Sequence, residues 1–297
     1  MPSIKRTTLD LPEHAHRDLL LLILLADTPI PPVREQYGTY HDIFASLFRS
    51  SLAIAKVEGA SPHDADGHEK KLESGRASPG RYRLTIESWD AVEQQLPSEE
   101  RLKEADAVLI TGSASNAHDD LPWITSLISL VSRLPDLNPS LKIFGICFGH
   151  QVVSRAFGGK CERNDKGWEI GTRYLELTER GKEVFPGKAK LRVHQMHRDH
   201  VPSVPPNFDL LGSTKDCPVH GLVRVSDPSA PFELTNVSIL TLQGHPEFNS
   251  TIVNELIDLR EEKGVISVEV AEQSREAAGE HDDGDWIGRR LLGVLGV

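Results

Sequence analysis

The 297-residue sequence has little of what marks secreted, membrane-spanning or nucleic-acid-binding proteins. It has only three cysteines, at positions 147, 161 and 217, too few for a disulfide scaffold, so a reducing compartment is expected. Its 33 Lys and Arg are outnumbered by 44 Asp and Glu, and a net charge of −11 argues against general nucleic-acid binding. The most apolar run, 19–26, is much shorter than the ~20 residues of a membrane span. We therefore expect neither nucleic acid nor a membrane as a partner.

Targeting and cofactor motifs are also missing. Acidic residues (Asp10, Glu13 and Asp18) precede the apolar run and no small-residue cleavage site follows it, unlike a signal peptide. The sequence contains no GxxxxGK[ST] phosphate loop and no GxGxxG motif after a strand. A cytoplasmic protein without a nucleotide or dinucleotide cofactor is therefore predicted.

Strand-like apolar runs alternate with helical patterns in the first half of the chain, which predicts an α/β fold with a largely parallel sheet. The predicted strands are Leu19–Ala26, Arg83–Ile86, Ala107–Thr111 and Leu141–Ile146, and the predicted helices are Tyr40–Ala55, Pro122–Leu134 and His150–Phe157. Further on, antiparallel strands are predicted at 191–193, 210–212, 222–225 and 237–242, and helices at 251–263, 267–278 and 286–295. The segment 58–80 has almost no large apolar residues, so a mobile loop is predicted there, with no metal at its His63 or His68.

The strongest chemical signal is Gly145-Ile-Cys147-Phe-Gly149, which follows an apolar strand and precedes a helical pattern. This is the nucleophile-elbow arrangement with cysteine in place of serine. A sharp strand-to-helix turn needs residues without Cβ on both sides of the nucleophile. It exposes the thiol at a helix N-terminus, which favours the thiolate, and frees the backbone N–H of Phe148 to bind an oxyanion.

A base for this nucleophile is predicted at His245, in the block Gln243-Gly-His-Pro-Glu247 that follows a strand-like run. In an extended chain residues i and i+2 point to the same side, so Glu247 can support His245. The carboxylate would orient the imidazole while the imidazole takes the thiol proton. Cys147, His245 and Glu247 therefore form a candidate catalytic triad.

Together the two motifs resemble those of class I glutamine amidotransferases. The pattern is similar to a GMP-synthase-like subgroup of stand-alone proteins that includes the plant γ-glutamyl peptidases, with supporting blocks at 109–113, 120–124, 166–171 and 194–199. The resemblance implies a flavodoxin-like, doubly wound sheet with a small antiparallel subsheet and C-terminal helices. It also implies a catalytic domain over 18–265, followed by a helical extension over 266–297.

The same resemblance assigns the rest of the site. The turn at Gly112 would supply a second oxyanion N–H beside Phe148, and Gln151, Gln195, Met196 and His197 would line the γ-glutamyl pocket. Where many members have two glycines this chain has Gly112-Ser113, but the donor is a backbone N–H, which serine also supplies.

Three functions remain open from the sequence. The resemblance implies a γ-glutamyl compound as substrate, and the chain could release an amine from a γ-glutamyl peptide or conjugate. It could instead release ammonia from glutamine for a separate synthetase, because about 30 residues beyond the catalytic domain leave no room for an ATP-using domain. It could also be a binding protein that has lost turnover.

Two features are predicted to be structurally ordinary. The segment 194–200 nearly matches the His-x-His-x-Asp-His motif of metallo-β-lactamase-like hydrolases, but Gln195 stands where the first histidine belongs. Because a slip of one residue turns a side chain to the other face of a strand, a polar wall of the pocket is predicted there and no metal. Cys161 and Cys217 have no CxxC partner and are predicted to be small apolar residues.

Overall fold

The computed structural model describes residues 4–12, 15–58 and 82–297, so the predicted loop 58–80 falls outside the described residues except for Glu58. The strands are β1 (Lys5–Asp10), β2 (Leu19–Leu25), β3 (Arg83–Asp90), β4 (Ala107–Ile110), β5 (Lys142–Ile146), β6 (Glu162–Arg163), β7 (Glu169–Leu177), β8 (Lys190–His197), β9 (Asp199–His200), β10 (Asp209–Ser213), β11 (Gly221–Val225) and β12 (Val237–Leu242). The helices are α1 (Pro31–Tyr37), α2 (Tyr40–Glu58), α3 (Glu99–Glu104), α4 (Pro122–Leu137), α5 (Phe148–Ala156), α6 (Glu179–Val184), α7 (Ser250–Glu262), α8 (Val268–Ala278) and α9 (Gly284–Val294). Across the described ranges, every helix is too short or too polar to cross a lipid bilayer.

One ten-stranded sheet organises the chain, in the order β1-β3-β2-β4-β5-β12-β11-β10-β7-β8. The five strands from β3 to β12 in this order are parallel. When these five strands are renumbered 1 to 5 in the order in which they occur along the chain, they lie in the sheet in the order 2-1-3-4-5, which is the flavodoxin-like order. Antiparallel strands extend it on both sides, and β6 pairs with β9 in a separate small sheet. The predicted α/β fold class is confirmed.

The apolar run in β2 is explained by burial on both faces of the sheet. Leu21 and Ile23 face a core that includes Phe44 of α2. Leu22 and Leu24 face the opposite core, which α4 and α5 complete. Because alternate side chains enter different cores, the strand has no polar face and its sequence shows no alternation.

Strands β1 and β7 are absent from the sequence prediction. β1 lies at the edge of the sheet, where Lys5–Asp10 needs to bury only one face and carries mostly polar side chains. β7 has no continuous apolar run, because Gly171 and several charged residues interrupt its apolar positions.

The C-terminal helices are packed into the main body of the protein. Ile287 and Leu291 of α9 lie in the same core as Phe44 of α2, and α8 packs on β7. The boundary at residue 265 stays a prediction, and the segment that follows it shares the core of the rest of the chain.

Candidate active site

Three of the predicted site positions meet at the carboxyl edge of the parallel strands. Gly112 follows β4, Cys147 follows β5 and His245 follows β12, and these strands are direct neighbours in the sheet. Ile146 pairs with Leu242, so the chain leaves both strands at the same level. In open α/β sheets the carboxyl edge is where ligands bind.

The backbone at Cys147 is in an unusual conformation, with φ 52° and ψ −102°, between the end of β5 and the first residue of α5. A non-glycine residue at positive φ is strained, and such strain persists where the surroundings enforce it, often at functional sites. The two flanking glycines have the close contacts that the pattern predicts. A Cβ on Gly145 would lie 2.6 Å from the Gly149 carbonyl oxygen, and a Cβ on Gly149 would lie 2.2 Å from that of Ile110.

His245 is held by two contacts of its imidazole and one of its backbone. Its Nδ1 donates to Glu247 Oε1 at 2.8 Å, and its ring stacks on Phe248 with 4.0 Å between centroids. Its backbone N–H donates to the His194 carbonyl oxygen at 2.8 Å. The extended conformation expected at 245–247 is wrong, because the chain turns after His245 and the Phe248 N–H donates to the His245 carbonyl. The turn nevertheless brings the carboxylate to Nδ1, which leaves Nε2 free for another partner.

The charged form of His245 is favoured in this environment. Burial by itself lowers the pKa of the imidazole, but the Glu247 carboxylate and the hydrogen-bonded Cys147 sulfur outweigh burial and raise the pKa to about 10. A positively charged imidazole beside a thiol stabilises the thiolate, the form that attacks carbonyl carbon. The electrostatics therefore favour a protonated His245 beside the Cys147 sulfur.

Gly112 lies against both members of this pair. A Cβ on Gly112 would be 2.7 Å from His245 Cε1 and 3.7 Å from Cys147 Cβ. The preceding Thr111 fixes the turn, because its hydroxyl donates to the Gly112 carbonyl and accepts from the Ala26 N–H. Phe148 is the first residue of α5, so its N–H has no partner within the helix and is available to a bound oxyanion.

The amide side chain of Gln243 connects Gln151 to the nucleophile, a role that the sequence reasoning missed. Gln151 Nε2 donates to Gln243 Oε1 at 3.1 Å and to the Asp199 carbonyl at 2.9 Å. Gln243 Nε2 in turn lies 3.5 Å from Cys147 Sγ. The position of Gln243 two residues before His245 was the available signal, because it lies in the same sequence block.

The predicted pocket residues divide into two groups. Gln151, Met196 and His197 line a cleft beside Cys147. Gln195 is not among the described residues that line this cleft: its amide packs against Gly244 and donates to the Val193 carbonyl. The difference arises because Gln195 lies where β8 meets the chain after β12, beside the His194–His245 bridge.

The cleft has a basic and aromatic wall that the sequence reasoning did not identify, formed by Arg163, Trp168, Arg198 and Arg260. Arg163 is neutralised by Asp199 at 2.6 Å, and the Arg260 guanidinium lies over the Trp168 ring at 5.1 Å. The exposed side chain of Arg198 has no ionic partner within the described part of the chain. An acidic protein thus offers a cation at the mouth of this cleft.

The histidine-rich segment 194–200 forms strands β8 and β9 in the wall of the cleft, as predicted. Its side chains face different partners: His194 lies 3.4 Å from Asp282, His197 lies 3.2 Å from Glu169, and His200 lies 3.9 Å from Glu162. The segment by itself therefore does not converge on one point.

The chain is similar to known proteins in both sequence and fold. Residues 76–258 match the family model "Glutamine amidotransferase class-I". The chain is 30% identical to a glutamine amidotransferase-like protein of Schizosaccharomyces pombe, over 94% of this chain and 99% of that protein. It is 29% identical to γ-glutamyl peptidase 4 of Arabidopsis thaliana, over 86% of each. The crystal structure of a glutamine amidotransferase from Thermotoga maritima has the same fold, with a TM-score of 0.60 and 18% identity over 95% of this chain and 100% of that one.

Proposed function

Because the chain belongs to the class I glutamine amidotransferase family, we propose that it is a cysteine hydrolase that cleaves γ-glutamyl amide bonds. The observation that carries the proposal is the strained Cys147 at a strand-to-helix turn, beside an imidazole that hydrogen-bonds to a buried carboxylate. Glu247 and His245 serve in it as the orienting acid and the base of a triad.

The proposed reaction has two steps. Cys147 thiolate attacks the γ-carbonyl carbon, and the N–H groups of Phe148 and Gly112 bind the oxyanion. The carbon–nitrogen bond breaks as His245 gives its proton to the departing nitrogen, which leaves a γ-glutamyl thioester on Cys147. Water then loses a proton to His245 and attacks the thioester, the carbon–sulfur bond breaks, and glutamate leaves as the Cys147 thiolate and the protonated His245 are restored. No metal or organic cofactor has a part in these steps.

A peptide-like substrate is favoured by the charge at the cleft. We propose that Gln151, Met196 and His197 contact the γ-glutamyl part, since they line the cleft beside Cys147. Arg198, exposed and without an ionic partner in the described ranges, would attract a carboxylate beyond the scissile bond. Glutamine has no such group, whereas a γ-glutamyl peptide does. A relative named γ-glutamyl peptidase supports the same substrate class.

The location and extent of the enzyme are part of this proposal. Attack requires a free thiol, and Cys147, Cys161 and Cys217 are all free cysteines, which suits a reducing compartment such as the cytosol. The catalytic unit is proposed to span 18–265, with 266–297 packed against it.

Substrate choice is tested by measuring free glutamate with glutamine, glutathione, γ-glutamylglycine and γ-glutamylethylamide. We expect γ-glutamylglycine to have a higher kcat/KM than glutamine. Arg198→Ala should lower kcat/KM for γ-glutamylglycine about 2- to 5-fold, the range for an exposed charge pair, and leave the neutral ethylamide unchanged. Arg133→Ala is the matched control, because this exposed arginine of α4 pairs only at the surface, with Glu99.

The other outcomes of that assay identify the alternatives. Glutamate released only from glutamine would contradict the peptidase and favour a glutaminase that passes ammonia to a partner synthetase. No glutamate from any substrate would indicate a binding protein without turnover and would refute the proposed reaction.

The space at Gly112 gives a second test. Gly112→Ala places a methyl group 2.7 Å from His245 Cε1, closer than two carbon atoms can pack, so the imidazole must shift from its present position. A misplacement of this size should reduce kcat roughly 100-fold. Gly279→Ala is the control, because the nearest atom to its new Cβ is 3.4 Å away, an ordinary contact. Unchanged kcat in Gly112→Ala, with thermal unfolding showing both variants folded, would contradict the proposed place of His245 in the reaction.

A further inference from the structure

A second cluster of reactive side chains extends from His197, which lines the cleft, into the interior behind it. Glu169 from β7, His197 from β8, and Cys217 and His220 from the segment before β11 have their ligand atoms within 4.8 Å of one another. All four residues are buried, so their polar atoms are removed from bulk water. Buried groups of this kind need a compensating partner.

The contacts inside the cluster put two imidazoles against one carboxylate oxygen. Glu169 Oε2 lies 2.8 Å from His220 Nε2 and 3.2 Å from His197 Nε2. His197 Nδ1 lies 3.1 Å from the Asp199 carbonyl oxygen, which can only accept, so the proton is on Nδ1. In a neutral His197 the Nε2 lone pair then faces the Glu169 carboxylate, and the two repel each other. A cation between them would remove this repulsion, because both atoms could bind it.

We propose that Glu169, His197, Cys217 and His220 form a closed zinc site. One thiolate, two imidazoles and one carboxylate are the donors that Zn²⁺ takes in tetrahedral sites, at about 2.0–2.3 Å. Binding forms the Zn–S bond as the Cys217 proton leaves to solvent, and the other three donors supply lone pairs without further chemistry. Cys217 and His220 have the C-x-x-H spacing that lets one short segment provide two ligands.

The surroundings of the cluster support this assignment. Metal-bound side chains are normally oriented by hydrogen bonds to their other atoms. The Thr214 hydroxyl donates to Glu169 Oε1 at 2.6 Å, and the Asp199 carbonyl accepts from His197 Nδ1. These hydrogen bonds leave Glu169 Oε2 and His197 Nε2 facing the centre of the cluster.

The metal would act as a brace for the active site and would take no part in the chemistry. Four protein ligands leave no open position for a water or substrate. The site would join β7 and β8 to the segment before β11, whose His220 carbonyl accepts the Gln243 N–H at 2.9 Å. The side chain of Gln243 contacts the Cys147 sulfur, so a single residue, Gln243, connects the proposed metal ligand His220 to the nucleophile.

This proposal differs from the sequence expectation of no metal and of an ordinary apolar Cys217. In the sequence His197 stands close to Asp199 and His200. In the folded protein Asp199 pairs with Arg163 and His200 lies near Glu162, so neither belongs to the cluster. The ligands assigned here come from separate elements that only the folded sheet brings together. The site does not depend on the proposed hydrolase activity.

The test is the zinc content of tag-free protein purified from zinc-supplemented cells. We expect about one zinc per chain in the wild type and in Cys161→Ser, and a loss of zinc in Cys217→Ser. Cys161 is the matched control, since it is also buried and free but lies outside the cluster. Chelation should lower the thermal midpoint of the wild type and of Cys161→Ser. Equal zinc in the two variants, or substoichiometric zinc in the wild type, would overturn the proposal.

If Cys217→Ser does not fold, the zinc site can still be tested by the Co²⁺ spectrum of the wild-type protein. Protein stripped by chelator and loaded with Co²⁺ should show the intense visible bands of a tetrahedral site and a thiolate-to-cobalt charge-transfer band in the near ultraviolet. A pale octahedral spectrum, or no uptake, would mean that the cluster is a hydrogen-bonded His–Glu–His network without a metal.

Discussion

Replacing Cys147 with alanine is expected to lower glutamate release from γ-glutamylglycine by at least about 10⁴-fold, with the fold intact. The sulfur forms the bond to substrate in the proposed reaction, and alanine has no atom that can do so. Binding and oxyanion contacts alone leave only weak residual catalysis. The folded state should tolerate the change, because removing one buried sulfur atom leaves the flanking glycines and their close contacts in place.

The comparison for this variant is Cys161→Ala, which removes the same atom from a buried site outside the proposed machinery. Rates come from the initial release of glutamate, and folding from the thermal midpoint of each protein. Mass spectrometry of wild type mixed with substrate should show an added γ-glutamyl group that Cys147→Ala lacks. Near-wild-type turnover in Cys147→Ala would exclude the thioester mechanism.

Glu247→Gln is expected to produce the second largest loss, roughly 10²- to 10⁴-fold in kcat. The carboxylate accepts from His245 Nδ1 at 2.8 Å and holds the ring with Nε2 free for the thiol. A glutamine amide can instead donate to Nδ1, which selects the wrong tautomer and removes the negative charge that stabilises the imidazolium. Retention of the wild-type rate would show that Glu247 is not an orienting acid.

The same variant gives a pH-dependent difference in stability. The pKa of His245 is raised from 6.5 to about 10 in the folded protein, by Glu247 and Cys147 against the effect of burial. A group whose pKa is higher in the folded state stabilises it fully below the unfolded value and loses this contribution as pH rises through the folded value. The free energy of unfolding of wild type minus that of Glu247→Gln should therefore be largest below pH 6.5 and decline up to about pH 10.

Urea unfolding at several pH values measures that difference. The reference is Glu99→Gln, which neutralises an exposed carboxylate paired with Arg133 and should give a nearly flat difference across the range. A Glu247→Gln difference that grows between pH 6.5 and pH 10 would contradict the sign derived from the raised pKa.

The local part of this protein was predictable from short stretches of sequence. The glycines around Cys147 predict the turn. A Cβ on Gly145 would clash with the nearby backbone of Gly149, whereas a Cβ on Gly149 would clash with Ile110 of the neighbouring strand β4. The apolar run of β2 predicts a strand buried on both faces, and its observed end differs by one residue from the prediction. The Gly145 contact lies within a few residues and the β2 strand follows from its pattern of apolar residues, whereas the Gly149 contact depends on the strand beside it.

The assignments that failed depend on contacts between distant elements. β7 has no continuous apolar run, and it is stabilised by pairing with β8 and β10. Gln195 was expected in the cleft, but the bridge between His194 and His245 directs the chain so that its amide meets Gly244. A local sequence pattern does not show which distant strand or residue will lie beside it in the fold.

The sequence by itself determined the nucleophile candidate, the His–Glu pair and the α/β class, because each depends on neighbouring residues and on periodicity. Three contacts could be seen only in the tertiary structure. Gln243 contacts the Cys147 sulfur, and Arg198 lines the cleft beside it. Cys217 lies close to Glu169, His197 and His220. The physical reason is that strand order and register set which distant side chains meet. Those depend on the packing of the whole sheet.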